Sequence, residues 1–489
     1  MNCIRPACLL VLSALASSAQ AATFMVTSLA DSGAGSLRAA VTSANTAPGA
    51  PHTISFATGV EGTLTLSSPI SITTALAING PGALRLTLDG ANATRLFRIS
   101  PPNDDQVIVL TGLTLTRGNA VGSDAGYGGA IYKQRGTLRL VASNVSGNRA
   151  VIRGGAIYSD DGDVAIDSVS LINNETPASG SQGSGGALYM RSGTFTSNAS
   201  LIANNKAEFG GGIALASPGN HAVIDGTLFQ GNTASGRGGG LFTISLQSFR
   251  MSGSAFIDNA VAATEGGAFY YNGSSAAGAS EGIIENTTFH GNSVVSPVGL
   301  SSALSVNTGA LLVRNSTFAH NAVSPAAPSE RPRSGALWVD GTDTQVKLVS
   351  VLFGGNTRGA GGAQSADIAR TATTSQPSTL DVAHSLLATD FDSSVVTSQS
   401  APNQFATSAQ LLPLDRSVGL APVVPIARTS PAIDRGANPG NLGTDQRGAG
   451  FVRTWTDPVH AGNPALSKAD VGAYEFRGDA LFVGDFERP

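Results

Sequence analysis

The chain has 489 residues, of which only 13% are charged, and its formal net charge is −4. With so few charged residues, the chain is not a polyelectrolyte. Its slightly negative net charge also provides no broad cationic surface for nucleic acid. With 60 glycines and 41% hydrophobic but only 6% aromatic residues, the composition predicts an aliphatic core, many tight turns and short strands.

Residues 1–21 have the features of a secretory signal peptide. Arg5 supplies a positive charge, residues 9–16 form a short apolar run, and an A-x-A cleavage site follows at 19–21. The run is too short to cross a bilayer, and no later segment reaches that length, so we expect an exported mature chain without a transmembrane segment. Both cysteines lie inside this peptide, so we expect neither a disulfide nor a cysteine-bound metal.

Residues 22–52 contain the clearest helical pattern of the chain. Apolar residues between 37 and 44 share one face, and Ser36 is a suitable N-cap. The segment 26–38 resembles the LREA-type N-terminal segment of secreted bacterial β-helix proteins. That resemblance implies that residues 22–52 cap the first coil of a stack.

Residues 53–390 are expected to form the stack itself, because two short motifs alternate there. One is Gly-Gly-Ala followed by an apolar residue, and the other is an apolar residue, two variable residues and an asparagine. The asparagines selected by this spacing are Asn148, Asn174, Asn204, Asn232, Asn259, Asn292, Asn321 and Asn356. We expect them to occupy a turn in which each side-chain amide bonds to the same amide one coil away.

So short a repeat cannot bury its own hydrophobic face, but stacked copies can. The runs between the motifs are short, aliphatic and rich in β-branched residues, with no sustained helical period. The sequence therefore predicts an all-β protein, a right-handed parallel β-helix of eleven to thirteen coils, the hand following the rule for parallel crossovers.

The two motifs resemble the repeats of the chlamydial-type polymorphic outer-membrane proteins, which are surface adhesins with a β-helical passenger. The resemblance covers about Leu115 to Ala363. It implies a protein that is secreted or associated with the outer membrane and binds a polysaccharide or a cell-surface partner. Members of that family end in a membrane β-barrel, and the residues after 363 lack the successive alternating strands that such a barrel needs.

The residue after each glycine corner predicts a binding surface. The apolar residue of the glycine motif should face inward, so the next residue should face outward. Six of the eight outward residues are aromatic: Tyr132, Tyr158, Tyr189, Phe242, Tyr270 and Trp338. An exposed row of rings suits sugar faces or a protein partner. The alternatives are that a neighbouring loop covers the row, or that the rings only strengthen strand pairing.

Residues 391–476 are predicted to hold the last coils and an irregular C-terminal cap, followed by a tail at 477–489. Parts of the segment 430–475 resemble the segment that closes secreted bacterial β-helices. It carries the charged residues Asp434, Asp445, Arg447 and Glu475. We interpret them as a salt-bridged cap rather than a catalytic cluster.

An enzyme is the alternative function, because polysaccharide lyases and glycoside hydrolases also use β-helices. A lyase or hydrolase of this kind would act on an acidic polysaccharide, but the sequence does not single out its catalytic residues. The densest acidic group, Asp160, Asp161 and Asp163, is a weak candidate for Ca²⁺, and solvated turn is the default interpretation. No other metal, no cofactor and no nucleotide motif is predicted.

Overall fold

The computed structural model describes residues 20–120, 126–177, 183–262, 265–276, 278–296, 300–324, 333–359, 364–371, 378–389, 393–455 and 469–477. The predicted signal peptide and the predicted tail lie almost entirely outside these ranges.

The described residues form a parallel β-solenoid of about eleven turns with one short helix, as the repeat predicts. Each full turn contributes one strand to each of three sheets, and strands of successive turns pair in parallel.

The first sheet contains Thr23–Val26, His52–Phe56, Leu76–Asn79, Val107–Thr111, Thr137–Val141, Val164–Asp167, Thr194–Asn198, His221–Asp225, Ser248–Ser252, Gly282–Glu285, Thr344–Val349, Thr379–Ala383 and Ser398–Gln399. The second sheet contains Gly62–Thr65, Leu86–Asp89, Thr114–Thr116, Asn144–Ser146, Ser170–Ile172, Leu201–Ala203, Leu228–Gln230, Ala255–Ile257, Thr288–His290, Thr317–Ala319 and Leu352–Gly354. The third sheet contains Ile70–Ile72, Phe97–Ile99, Ile131–Lys133, Ile157–Ser159, Leu188–Met190, Ile213–Ala216, Leu241–Ile244, Phe269–Asn272, Leu337–Val339 and Ile368–Arg370. The strand Leu304–Arg314 is continuous through a corner and pairs in both the third and the first sheet.

A short fourth sheet follows the asparagine turns in the later coils. Its strands are Lys206–Phe209, Thr233–Arg237, Ala260–Val261, Ser293–Val295, Ala322–Ser324 and Thr357–Arg358, with Gln364–Ser365 added antiparallel at the end.

Strand alternation places one row of side chains from each sheet inside the solenoid. In the second sheet the inward row becomes a column of phenylalanines: Phe229, Phe256, Phe289, Phe318 and Phe353. Successive rings in the column are stacked, with centroids 4.5 to 5.1 Å apart. All five are fully buried, and they fill the interior with apolar contact where the earlier coils use aliphatic residues.

The asparagine turns form a continuous column of amides beside this core. In Asn232, Nδ2 donates to Oδ1 of Asn259 at 2.9 Å and also to the carbonyl oxygen of Ile202 at 2.8 Å. Its backbone N–H donates to the same Oδ1 of Asn259 at 3.0 Å. The column consists of Asn148, Asn174, Asn205, Asn232, Asn259, Asn292, Asn321 and Asn356. Every member is fully buried, so each amide relies on the neighbouring coils for its partners.

One of the asparagines selected by the spacing is wrong by one position. Asn205, not Asn204, is the buried member of the column, whereas the side chain of Asn204 is exposed and its φ is +55°. The inward apolar residue of this coil is Ile202, which pairs with Leu171 and Phe229, so the motif runs from Ile202 to Asn205 at the usual spacing. Asn204 occupies the left-handed position that Asn173 and Gly231 take in the adjacent coils.

The N-terminal end of the solenoid is covered as the sequence predicts. The strand Thr23–Val26 extends the first sheet by pairing with His52–Phe56. The helix α1 (Leu37–Thr46) begins at Ser36, whose hydroxyl accepts from the backbone N–H of Ala39 at 3.2 Å. The helix buries its apolar face, Leu37, Ala40, Val41 and Ala44, in the main core, so the first coil does not present an open apolar end.

The C-terminal segment does more than close the last coil. Ser398–Gln399 still adds to the first sheet, but later residues lie along the outer face of the second sheet. Asn286 donates to the carbonyl oxygen of Thr444 at 2.9 Å, and Asn315 donates to that of Ala437 at 2.7 Å. The segment therefore covers the second sheet along several coils.

Candidate functional site: the outer rows of the solenoid

The aromatic residues selected by the sequence do form one row on the outer side of the third sheet. Tyr132 pairs with Tyr158, Tyr158 with Tyr189, and Phe242 with Tyr270, each in the next coil. Ala214 and Ser305 occupy the row where no ring is present, and Trp338 follows Ser305. The rings stack along the solenoid, with centroids of Tyr132 and Tyr158 5.4 Å apart and those of Tyr158 and Tyr189 5.5 Å apart.

The expected exposure of this row is wrong. Tyr158, Tyr189, Phe242 and Tyr270 are only 3 to 6% exposed and Trp338 is 1% exposed, whereas Tyr132 at the beginning of the row is half-buried. The side chains point away from the core, as strand alternation requires, but something covers them.

The cover is a second outer row, formed by the residue immediately before each glycine corner. Bridges between successive coils align Tyr127, Arg153, Ser184, Phe209, Arg237 and Glu265. Four of these side chains lie on an aromatic ring of the following coil: Tyr127 on Tyr158, Arg153 on Tyr189, Phe209 on Phe242 and Arg237 on Tyr270.

The contacts of this covering row are close and of two kinds. The Tyr127 and Phe209 rings lie 4.8 and 5.2 Å from their partners, and the guanidinium groups of Arg153 and Arg237 lie 4.8 and 5.1 Å from theirs. Aromatic pairs and cations over ring faces both stabilise such arrangements. The sequence reasoning missed this row, although its signal is visible: an aromatic residue or arginine directly precedes the first glycine at four of the six positions, and Ser184 and Glu265 occupy the other two.

The glycine corner permits this close approach. Gly154 has a φ of +61°, which favours glycine, and a Cβ there would collide with the carbonyl oxygen of Ile157. The corner thereby turns the chain sharply enough to bring Arg153 back over the sheet that begins at Ile157.

The ion pair of Asp160 and Arg191 contacts the aromatic row at the hydroxyl of Tyr158. The hydroxyl of Tyr158 donates to Oδ1 of Asp160 at 2.9 Å, and Nε of Arg191 lies 2.6 Å from the same oxygen. Burial and the hydrogen bond to Asp160 raise the pKa of Tyr158 above the usual tyrosine value. This phenol therefore stays protonated at neutral pH and acts as a donor.

The acidic turn considered for Ca²⁺ directs its groups to different partners. Asp160 pairs with Arg191, Oδ1 of Asp161 accepts from Gly162 at 2.8 Å, and Oδ1 of Asp163 accepts from Thr194 at 2.8 Å. Within the described residues, no group of three or more His, Cys, Asp or Glu side chains is placed to hold a metal ion.

The charged residues of the C-terminal segment come together as the sequence suggests. Asp445 forms an ion pair with Arg447, and both are almost completely buried. Arg453 and Glu475 lie 4.0 Å apart with no exposure, and Asp470 accepts from the backbone N–H of Asp434 at 2.8 Å. The cluster thus contains four acids and two arginines, and burial raises the pKa of Asp470 and of Glu475. These side chains are buried and bind one another, so the cluster stabilises the C-terminal segment internally and is not an open binding site.

The outer face of the first sheet differs from the other two. Its central outward row is formed by Thr53, Ala77, Val109, Arg139, Ala165, Thr196, Val223, Arg250, Ile283, Leu312, Lys347 and Asp381. Every member of this row is half-buried or exposed. The C-terminal segment covers the second sheet and the covering row protects the third, so the first sheet is the long open face.

Comparison with known proteins finds one distant likeness. No family model matches the chain. A region of 172 residues is 30% identical to the probable autotransporter YfaL of Escherichia coli strain K12. The match covers 31% of this chain and 13% of that protein. The chain is therefore distantly similar, over part of its length, to an autotransporter, and this likeness agrees with the β-solenoid. The helix of the described residues is too short to cross a membrane.

Proposed function

We propose that this chain is an exported, surface-associated or secreted protein whose solenoid binds a polysaccharide or a cell-surface partner, as an adhesin does. The signal peptide pattern, the alternating motifs and the distant likeness to a probable autotransporter support export. The open outer face of the first sheet is the observation that carries the binding role.

That face suits an extended ligand because its side chains repeat at the coil spacing, about 4.8 Å. Arg139, Val223, Arg250 and Lys347 are exposed along one line, so cationic and apolar contacts alternate on it. A long ligand would meet several weak contacts at once, and linked weak contacts give a useful combined affinity. The aromatic row has a different role in this proposal: its rings stabilise the coil stack from outside.

A binding test compares two double variants. Arg139→Ser with Val223→Ser removes one charge and one exposed apolar side chain from the open face. Arg428→Ser with Leu412→Ser removes the same chemistry from exposed positions of the C-terminal segment. On a glycan array and in a cell-attachment assay, we expect the first variant to bind several-fold more weakly and the second to bind like the native protein. Equal binding by all three proteins would refute the open face as the contact surface.

The second candidate is a hydrolase or lyase acting on an acidic polysaccharide, and one corner favours it. Asp225 and Glu285 occupy the same outward position two coils apart, a separation of about 10 Å, near the upper limit for paired catalytic carboxyls. Desolvation raises the pKa of Asp225, and Glu285 pairs with Arg250 and Arg314. Release of reducing ends or unsaturated uronates by the native protein, but not by Asp225→Asn, would favour the enzyme over the adhesin.

A further inference from the structure

A cavity of about 390 Å³ lies near the C-terminal end of the solenoid. Its walls come from the last strand of the third sheet, Ile368–Arg370, and from Leu387, Thr389, Ser394, Val395, Val396 and Phe405. Apolar side chains, including Ile368, Leu387 and Phe405, provide part of the lining, and three arginines provide much of the rest. A cavity of mixed lining and this volume has room for a small organic ligand.

The three arginines are Arg333, Arg358 and Arg370, and they reach the cavity from three separate parts of the chain. Arg370 is held in place by carbonyl oxygens: Nε donates to Val395 at 2.9 Å, Nη1 to Ser378 at 2.9 Å and Nη2 to Ser394 at 2.6 Å. A guanidinium has five N–H groups, so these bonds fix its plane, and partners within the described residues account for three of the five.

Arg358 is fixed in a similar way but with fewer bonds. Its Nε donates to Oε1 of Gln364 at 3.0 Å, and its Nη1 lies 3.4 Å from the carbonyl oxygen of Arg333. These partners are neutral, so they orient the guanidinium group without cancelling its charge. The fork that remains matches the two oxygens of a carboxylate or sulfate.

No carboxylate is present in the part of the cavity wall that the structure describes. Asp367 lies next to the wall but is fully buried. Its Oδ1 accepts from Asn356, and its Oδ2 accepts from the backbone N–H groups of Ala388 and Thr389. The carboxyl of Asp367 is thus hydrogen-bonded to the last asparagine of the amide column. Burial raises the pKa of Asp367, and a protonated carboxyl does not neutralise the positive charge of the arginines.

We propose that this cavity binds the acidic group of a saccharide, with Arg358 and Arg370 holding a carboxylate or sulfate and the apolar wall receiving a sugar ring. The inference deepens the proposed binding function by naming an anionic saccharide as the ligand class. It also accounts for selectivity in a chain of net charge −4, because such a chain attracts polyanions only where cations are concentrated.

Calorimetric titration of the full chain at low salt tests this site with three probes: trigalacturonate, the neutral trisaccharide maltotriose, and sodium sulfate. We expect trigalacturonate to bind at least about tenfold more tightly than maltotriose, because one charge-assisted hydrogen-bonded contact has roughly that effect. Arg358→Gln should remove about tenfold of the affinity, and Arg358→Lys should recover only part of it because a lysine lacks the planar fork.

Arg428→Gln is the matched control, since it removes the same charge from an exposed residue of the C-terminal segment that does not line the cavity. Equal binding of the charged and neutral saccharides, or equal losses in Arg358→Gln and Arg428→Gln, would overturn the proposal. Sulfate binding without competition by trigalacturonate would also overturn it, because the site would then hold a free anion. The cell-attachment assay of the open-face variants stays independent of this result, so failure of the cavity and failure of the adhesin role are distinguishable.

Discussion

The guanidinium group of Arg153 lies 4.8 Å from the ring centre of Tyr189, although the two residues belong to adjacent coils. Arg153 precedes the glycine corner of its own coil, and Tyr189 follows the corner of the next. The contact therefore fastens one coil to its neighbour on the outside of the solenoid, where the hydrophobic core does not act. Arg237 and Tyr270 repeat the same relationship further along.

Removing this outer contact should weaken the stack without disturbing the core. We expect Arg153→Ala to lower the free energy of unfolding by about 0.5–2 kcal/mol, the range for a cation over an aromatic face. Chemical denaturation followed by circular dichroism measures this change. Arg139→Ala, an exposed arginine on the open face, is the control and should change stability by less. Equal effects of the two substitutions would show that the ring contact adds nothing.

Tyrosine ionisation should report the burial of the aromatic row. Burial raises the pKa of Tyr158, Tyr189 and Tyr270, whereas tyrosines in an unfolded chain ionise near pH 10, about the ordinary value. The stabilising contribution of these neutral phenols is therefore complete below pH 10 and is lost as pH rises towards their folded-state pKa values. We expect absorbance at alkaline pH to show a late phase that coincides with unfolding. A single phase near pH 10 in a chain that remains folded would mean that the rings are accessible.

The sequence predicts the solenoid well because the fold depends on spacing and strand alternation, both of which are visible in one chain. The motif spacing selects seven members of the amide column, and the offset from the glycine corner selects the ring row. Exposure is predicted less well, because Arg153 and Phe209 cover rings that are about 35 residues away in sequence. Such contacts depend on the position of one coil relative to the next. The spacing of residues within a single coil does not predict that relative position.

The C-terminal segment shows the same limit. Asp445, Arg447 and Glu475 can be grouped from the sequence, but the course of the segment along the second sheet cannot. That course is set by single contacts such as Asn315 to Ala437, which have no repeating signal. The cavity with Arg358 and Arg370 is missed for the same reason, since its walls come from parts of the chain that lack a common motif.

The adjacent residues Asn204 and Asn205 offer a sharp test of the amide column. Asn205 is fully buried, with Nδ2 donating to Oδ1 of Asn232 at 2.9 Å and to the carbonyl oxygen of Leu171 at 2.9 Å. We expect Asn205→Ala to destabilise the protein by about 1–3 kcal/mol, because it leaves buried polar groups of neighbouring coils without partners.

Asn204→Gly is the matched control in the same turn. Glycine accepts the φ of +55° at this position without strain, and the exposed side chain of Asn204 makes no contribution to the column. Thermal and chemical unfolding of the two variants should therefore differ clearly. A loss of stability that is larger for Asn204→Gly than for Asn205→Ala would show that the column is assigned to the wrong residue.

The buried charge cluster of the C-terminal segment should make the attachment of that segment sensitive to pH. Carboxyl groups in an unfolded chain have pKa values near 4, whereas burial raises the pKa of Asp470 and Glu475 in the folded chain. Each raised pKa contributes stability that is complete below about pH 4 and is lost as pH rises through the folded-state value. Hydrogen exchange of peptides covering residues 430–447 should accordingly show easier opening of the segment at pH 8 than at pH 5.

Glu475→Gln should reduce this pH dependence, because the neutral amide replaces a carboxyl that the folded segment holds in its protonated form. The amide has one acceptor oxygen, so it can replace only one of the two carboxyl oxygens that accept from the backbone N–H groups of Asp470 and Trp455. We therefore expect faster exchange than in the native chain at pH 5 and a smaller difference between pH 5 and pH 8. Asp105→Asn, at an exposed position, removes a carboxyl elsewhere and should leave the profile of this segment unchanged. If the difference between pH 5 and pH 8 is as large in Glu475→Gln as in the native chain, ionisation of Glu475 is not what opens the segment.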